Sequence, residues 1–199
     1  MKKLAVLATA IVMLAAFKPS GYNVGDKAMD FKLKNTDGKM VSLADFKDAK
    51  GFIVVFTCNH CPFAKAYEDR IIGLNTKFAS QGYPVIAINP NDPKQVDEDS
   101  YTHMQARAKT KSYGFPYLMD ETQNIAHTYG AAHTPQVYVL QKSGSDYIVK
   151  YTGAIDDNSD DANAVKQKYV EDAVNALLAG KPVTTPSTKA IGCGIKWKA

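Results

Sequence analysis

The chain has 199 residues, with 24 Lys and Arg against 20 Asp and Glu, and three cysteines. That length suits one domain with a proper core, and the near balance of charge, without a basic run, gives no support for nucleic acid as a partner. Three cysteines are too few for a disulfide scaffold, so their positions point to chemistry instead.

Lys2 and Lys3 precede an apolar run from Leu4 to Phe17, broken only by Thr9, and Ala15 and Ala16 offer a cleavage site. The run is too short to span a bilayer comfortably. Residues 1–18 therefore read as a signal peptide, and the protein as periplasmic or otherwise extracytoplasmic. No cysteine follows the run, so no stable membrane anchor is expected after cleavage. Removing Lys2 and Lys3 leaves 22 basic against 20 acidic side chains. In an oxidising compartment, closely spaced cysteines are redox-active or oxidised rather than spare.

Residues 19–182 read as one domain and residues 183–199 as a tail. Phe31-Lys32-Leu33-Lys34 and Met40-Val41-Ser42-Leu43 alternate around Asn35-Thr36-Asp37-Gly38-Lys39, the pattern of an N-terminal β-hairpin. Gly51 to Phe56 is a continuous apolar run, suited to a strand buried on both faces. Phe63, Tyr67, Ile71, Leu74 and Phe78 then recur at helical spacing, with Gly82 and Pro84 as the stop. Val85 to Ile88 gives a second buried strand. Residues 97–111 begin with acids and end with bases, the order of a solvated surface helix. Asp120 and Gln123 predict a cap, and Gly130 the end, of a short helix. Strands follow at Gln136 to Leu140 and Tyr147 to Tyr151, and a last helix from about Ala162 to a stop at Gly180 and Pro182. The order predicts an α/β fold with a central mixed sheet flanked by helices.

Cys58-Asn59-His60-Cys61 falls where a buried strand ends and a helix begins. Unpaired first-turn N–H groups at such a place stabilise a thiolate, which is the attacking form of cysteine. Two intervening residues bring both sulfurs to one helical turn, close enough to form a disulfide. Pro62 sits where a missing N–H costs no helical hydrogen bond.

With these residues the chain resembles the thioredoxin superfamily, and within it the redoxins related to alkyl hydroperoxide reductase/thiol-specific antioxidant proteins, of the peroxiredoxin-like kind. The resemblance runs from Gly21 to the C-terminus and rests on Phe56 to Phe63, Phe115 to Thr122, Thr134-Pro135, and Gly192-Cys193-Gly194-Ile195-Lys196-Trp197. It implies a thioredoxin-like fold and a thiol–disulfide oxidoreductase with Cys58, Cys61, His60 and Pro135 as catalytic residues. It also implies that Pro135 follows a cis bond, that Thr134 and Pro135 bind substrate, and that the partners are protein thiols or disulfides and a redox partner protein. No cofactor is implied, and the sequence carries no signal for oligomeric state. His60 resembles the His of oxidising disulfide-exchange proteins; its imidazolium would favour the Cys58 thiolate, although an exposed polar residue at a helix start is the other reading.

The sequence also departs from the family patterns. Thr57 stands where thioredoxin has Trp, and Phe52 where it has a buried acid. The Pro and Thr that precede a peroxidatic cysteine are replaced by Val54 and Cys58 when counted from Cys61, or by Gly51 and Val55 when counted from Cys58. One alternative is nevertheless a peroxiredoxin-like thiol peroxidase with Cys193 as resolving residue. For Cys193 two readings stay open: a tail cysteine that reaches Cys58 or Cys61, or a buried inert thiol beneath a tail docked by Ile195 and Trp197. Another alternative is a Cu(I)-binding chaperone that uses Cys58, Cys61 and His133.

Overall fold

The computed structural model describes residues 21–199; the expected signal peptide lies outside the described residues. The strands are β1 (Lys27–Ala28), β2 (Leu33–Asn35), β3 (Met40–Val41), β4 (Gly51–Phe56), β5 (Val85–Asn89), β6 (Tyr117–Met119), β7 (His133–Thr134), β8 (Gln136–Ser143), β9 (Asp146–Gly153) and β10 (Cys193–Gly194). The helices are α1 (Pro62–Phe78), α2 (Tyr101–Thr110), α3 (Asn124–Tyr129) and α4 (Tyr169–Leu178). Eight strands form one mixed sheet in the order β1-β9-β8-β4-β5-β6-β2-β3, with β4–β5 and β5–β6 parallel. The remaining two, β10 and β7, pair separately above the end of β4. Among the described residues no helix is long and apolar enough to cross a membrane.

Strand β4 lies at the centre because its side chains alternate between two apolar faces and every residue of it is buried. Phe52, Val54 and Phe56 pack with Tyr129, Tyr138, Leu140 and Ile195 on one face. Ile53 and Val55 meet Tyr67, Ile71, Phe78, Met104 and Val174 on the other. The helical stripe of α1 thus covers one side, with α2 and α4 beside it, and α3 and the tail cover the opposite side. Gly51 is a glycine by necessity. A Cβ there would strike the Leu140 carbonyl and the Tyr83 ring, so any side chain would push β4 away from β8.

The expected hairpin forms as β2 and β3, with Leu33 opposite Val41. Two strands of the large sheet were not foreseen, nor were β7 and β10 of the small one. The first, β1, is a two-residue edge on β9; the second, β6, inserts beside β5 with Leu118 opposite Ile88. The expected surface helix over 97–111 is divided. Asp97–Asp99 is a 3-10 turn with Asp99 fully buried, and only α2 beyond Ser100 carries the solvated pattern. The last helix starts at Tyr169 rather than near Ala162, because Asp156, Asn158 and Asp161 side chains bond nearby backbone N–H groups and hold that stretch as turns. Asp120 does cap α3, accepting from Ala126 N–H at 2.8 Å, whereas Gln123 turns away to bind the Pro90 and Lys196 carbonyls.

The core is unusually rich in buried tyrosine, which makes stability sensitive to alkali. Burial pushes the Tyr138 hydroxyl up to about 12, and Tyr67 and Tyr151 higher still. Each folded phenol keeps its proton beyond the point, near pH 10, at which the unfolded chain gives it up. Stability is therefore complete below about pH 10 and falls as pH rises above it, by on the order of 2 kcal/mol at pH 12 from Tyr138 alone. Urea midpoints measured from pH 8 to 12 test this; a flat profile would contradict it.

Candidate active site

Strand β4 ends at Phe56, and the chain turns through Thr57–His60 before α1 begins. Cys61 is the N-cap of α1 and Pro62 its first residue. Across from this turn, Thr134 and Pro135 are joined by a cis peptide bond. Thr134 touches both sulfurs of the motif: its hydroxyl lies 3.1 Å from Cys58 Sγ, and its carbonyl lies 3.2 Å from Cys61 Sγ.

The disulfide is where structure and sequence part company. The spacing predicts a Cys58–Cys61 bond, but the structure joins Cys61 to Cys193, 132 residues away, and leaves Cys58 as a buried free thiol. The cause is the tail. Cys193 pairs with Thr134 and Gly194 with His133, which sets the Cys61 and Cys193 Cα atoms 6.0 Å apart, within disulfide reach. Of the two readings of Cys193, the tail that reaches the site is the one realised, and Ile195 and Trp197 do dock it. Trp197 stacks on His127 at 4.0 Å, and Lys196 accepts from Asp92 N–H through its carbonyl and donates its own N–H to Asn91 Oδ1.

Cys58 also differs from expectation. It lies three residues ahead of the N-cap, outside α1 itself. Burial first, and then the negative charge of Asp99, push the Cys58 thiol up to about 11. The Thr134 hydroxyl and the backbone N–H groups of Cys61 and His60 pull it down, but by less. His60 is neither an exposed helix-start residue nor a free cation for Cys58. Its side chain is 16% exposed, and Nδ1 lies 2.5 Å from Asp99 Oδ2.

Asp99 is the site residue that sequence reasoning missed. Fully buried, it accepts from Asn59 N–H at 2.6 Å, Asn91 Nδ2 at 2.8 Å and Asn89 Nδ2 at 3.3 Å, besides His60. The Tyr117 hydroxyl donates to Asn59 Oδ1, and Asn59 Nδ2 to the Glu98 carbonyl. The turn that carries Cys58 is thus clamped from below by a polar network reaching the Asp97–Asp99 turn and β6. Cys58, His60 and Asp99 place donor atoms within 4.8 Å of one another, yet His60 and Asp99 already satisfy each other there. His133 is not in that group; it sits on β7 opposite Gly194, and Cys61 is engaged with Cys193, so the trio expected for Cu(I) is not assembled. Phe52, at the place of the thioredoxin acid, packs edge-on against Phe46 and Tyr147.

A mixed sheet, a Cys-x-x-Cys turn entering a long helix and an opposing cis-proline loop define a thioredoxin-like redoxin; a solved thioredoxin of Streptococcus pneumoniae shares the fold at 22% identity with a TM-score of 0.55. More narrowly, residues 24–155 match the AhpC/TSA family, and the chain belongs to it. It is similar to the thiol-disulfide oxidoreductase ResA of Geobacillus thermodenitrificans, 25% identical over 61% of this chain and 65% of that one. It is also similar to the chloroplastic peroxiredoxin Q of Gentiana triflora, 32% identical over 63% of this chain and 57% of that one. The chain thus spans a little under two thirds of the length of these curated relatives. A solved hypothetical protein of Sinorhizobium meliloti 1021 matches with a TM-score of 0.82 at 36% identity, covering 90% of this chain and 97% of that one.

Proposed function

We propose that this protein is an exported, periplasmic or otherwise extracytoplasmic thiol–disulfide oxidoreductase whose exchanging sulfurs are Cys58 and Cys61, acting on protein thiols and disulfides. The observation that carries the reading is the convergence of both sulfurs on Thr134, with one of them already in a disulfide. A thiolate formed at one sulfur attacks a disulfide, and the neighbouring sulfur resolves the mixed species. His60 and Pro135 serve as supports: His60 counters the Asp99 charge beside Cys58, and Pro135 fixes the Thr134 backbone against the sulfurs. The similarity to ResA supports this reading.

The Cys61–Cys193 bond favours a second reading, a thiol peroxidase in which Cys61 is oxidised by peroxide and resolved by Cys193. Complete burial of Cys61, and Val54 and Cys58 in place of the Pro and Thr of a peroxide site, weigh against it. The deciding experiment supplies dithiothreitol as electron donor and offers insulin disulfide or hydrogen peroxide as acceptor. Insulin reduction at least about tenfold faster than without protein, with no acceleration of peroxide loss, is expected. Acceleration of peroxide loss alone would replace the first reading by the second.

A further inference from the structure

The tail is anchored on both sides of its cysteine. Upstream, Thr188 bonds the Thr152 carbonyl through its N–H and meets Tyr151 and Ala154 through its hydroxyl. Downstream, Ile195 is buried, and Lys196 and Lys198 bond Asp92, Asn91 and Gln123. Between these anchors Cys193 is held by the two-residue strand β10 and by its bond to Cys61. Exposure separates the three sulfurs: Cys61 is 0% and Cys58 6% exposed, whereas Cys193, between two glycines, is partly open to solvent.

We propose that Cys193 is a shuttle sulfur, through which external thiols reach the buried Cys58 and Cys61. The inference rests on the exchange reading above. An incoming thiolate must approach a disulfide along its axis, and of the two bonded sulfurs Cys193 is the accessible one. When an external dithiol is the reductant, its first thiolate attacks Cys193 Sγ, the Cys61–Cys193 bond breaks, and Cys61 leaves as a thiolate. Cys61 is a good leaving group because it stands at the N-terminal end of α1, where the helix dipole favours a thiolate. The donor's second thiolate then attacks the donor sulfur bound to Cys193 and frees Cys193. The donor ends as a disulfide, and the protein has gained two electrons and two protons. In the oxidised protein an internal step has no net redox change. The Cys58 thiolate attacks Cys61 Sγ, a Cys58–Cys61 bond forms, and Cys193 departs with the proton that Cys58 gave up.

Gly192 makes the docked state possible. A Cβ there would lie 2.6 Å from the Thr134 carbonyl carbon and 2.9 Å from the Pro135 nitrogen, with the Thr134 oxygen nearer still. These are backbone atoms and cannot rotate aside. A side chain at 192 therefore lifts the strand and draws Cys193 away from Cys61.

The test treats oxidised full-length protein with reduced glutathione, quenches with N-ethylmaleimide and maps the modified cysteines by mass spectrometry. Glutathione is expected on Cys193, at least about tenfold over Cys58 or Cys61. Gly192→Val is expected to shift the disulfide to Cys58–Cys61. Cys193→Ser, which leaves the glycine and the anchors intact, should carry that same disulfide and take up glutathione at least about tenfold more slowly. Glutathione on Cys58 in the unaltered protein would overturn the shuttle while leaving the exchange reading standing. A disulfide that resists glutathione altogether would overturn both. A Cys61–Cys193 bond undiminished in folded Gly192→Val would also overturn the shuttle, by removing the docking that delivers it.

Discussion

Iodoacetamide applied to the oxidised protein will alkylate Cys58 alone, and the rate will rise about tenfold per pH unit from pH 7 to about pH 10. Only the thiolate reacts, and with the thiol pushed up to about 11 its fraction at neutral pH is on the order of one in ten thousand. Burial supplies the larger part of that shift and Asp99 the second part. The two causes are separable. Asp99→Asn removes the charge and leaves the burial, so its rate at pH 7 should exceed that of the unaltered protein, and the two should converge above pH 11. Four donors surround Asp99, so the amide fits only if His60 accepts at Nδ1 and Asn91 reverses its side-chain amide, the latter at the expense of the bond Lys196 N–H makes to Asn91 Oδ1. A rate already independent of pH at 7 would mean that the groups favouring the thiolate outweigh burial, as the sequence alone suggests for the first-turn N–H groups and His60.

That contrast shows where sequence reasoning stops. The run Gly51 to Phe56, bounded by turn residues and followed by a helical stripe, specifies a strand buried on both faces and a covering helix, because both periodicities are local. Strand β6 escaped because three residues after Phe115-Pro116 are too few to show a period, and its place between β5 and β2 is set by pairing across the sheet and, on the β2 side, by the Asn35 side chain. Asp99 escaped for a different reason. It sits in a row of three acids whose order complements a helix dipole, and its partners, Asn59 and His60, are about 40 residues away. Nothing along the chain separates it from solvated Asp97. The pairing of Cys61 rather than Cys58 with Cys193 depends on two hydrogen-bonded residues of β10 and on a glycine that lets the strand settle against Thr134. Gly192 is visible in the sequence, but the carbonyl it must avoid is not.

The largest loss of stability from one substitution near the site is expected for Asp99→Ala, about 3–5 kcal/mol in urea unfolding at pH 7. The methyl group removes the common acceptor of Asn59 N–H, His60 Nδ1 and the Asn89 and Asn91 amides, and all of these residues but His60 are buried. Each donor left without an acceptor costs more than its hydrogen bond contributed, since folding has already stripped its hydration. His60→Ala should cost less, about 1–2 kcal/mol. His60 reaches solvent with part of its ring, and its removal leaves Asp99 still held by three N–H donors. The ordering follows from which side of the pair is buried: the carboxylate is the hub and the imidazole one of its spokes. If His60→Ala proved the more damaging, the polar network beneath Cys58 would be centred on the ring, and the role given to Asp99 in fixing the Cys58 turn would fall.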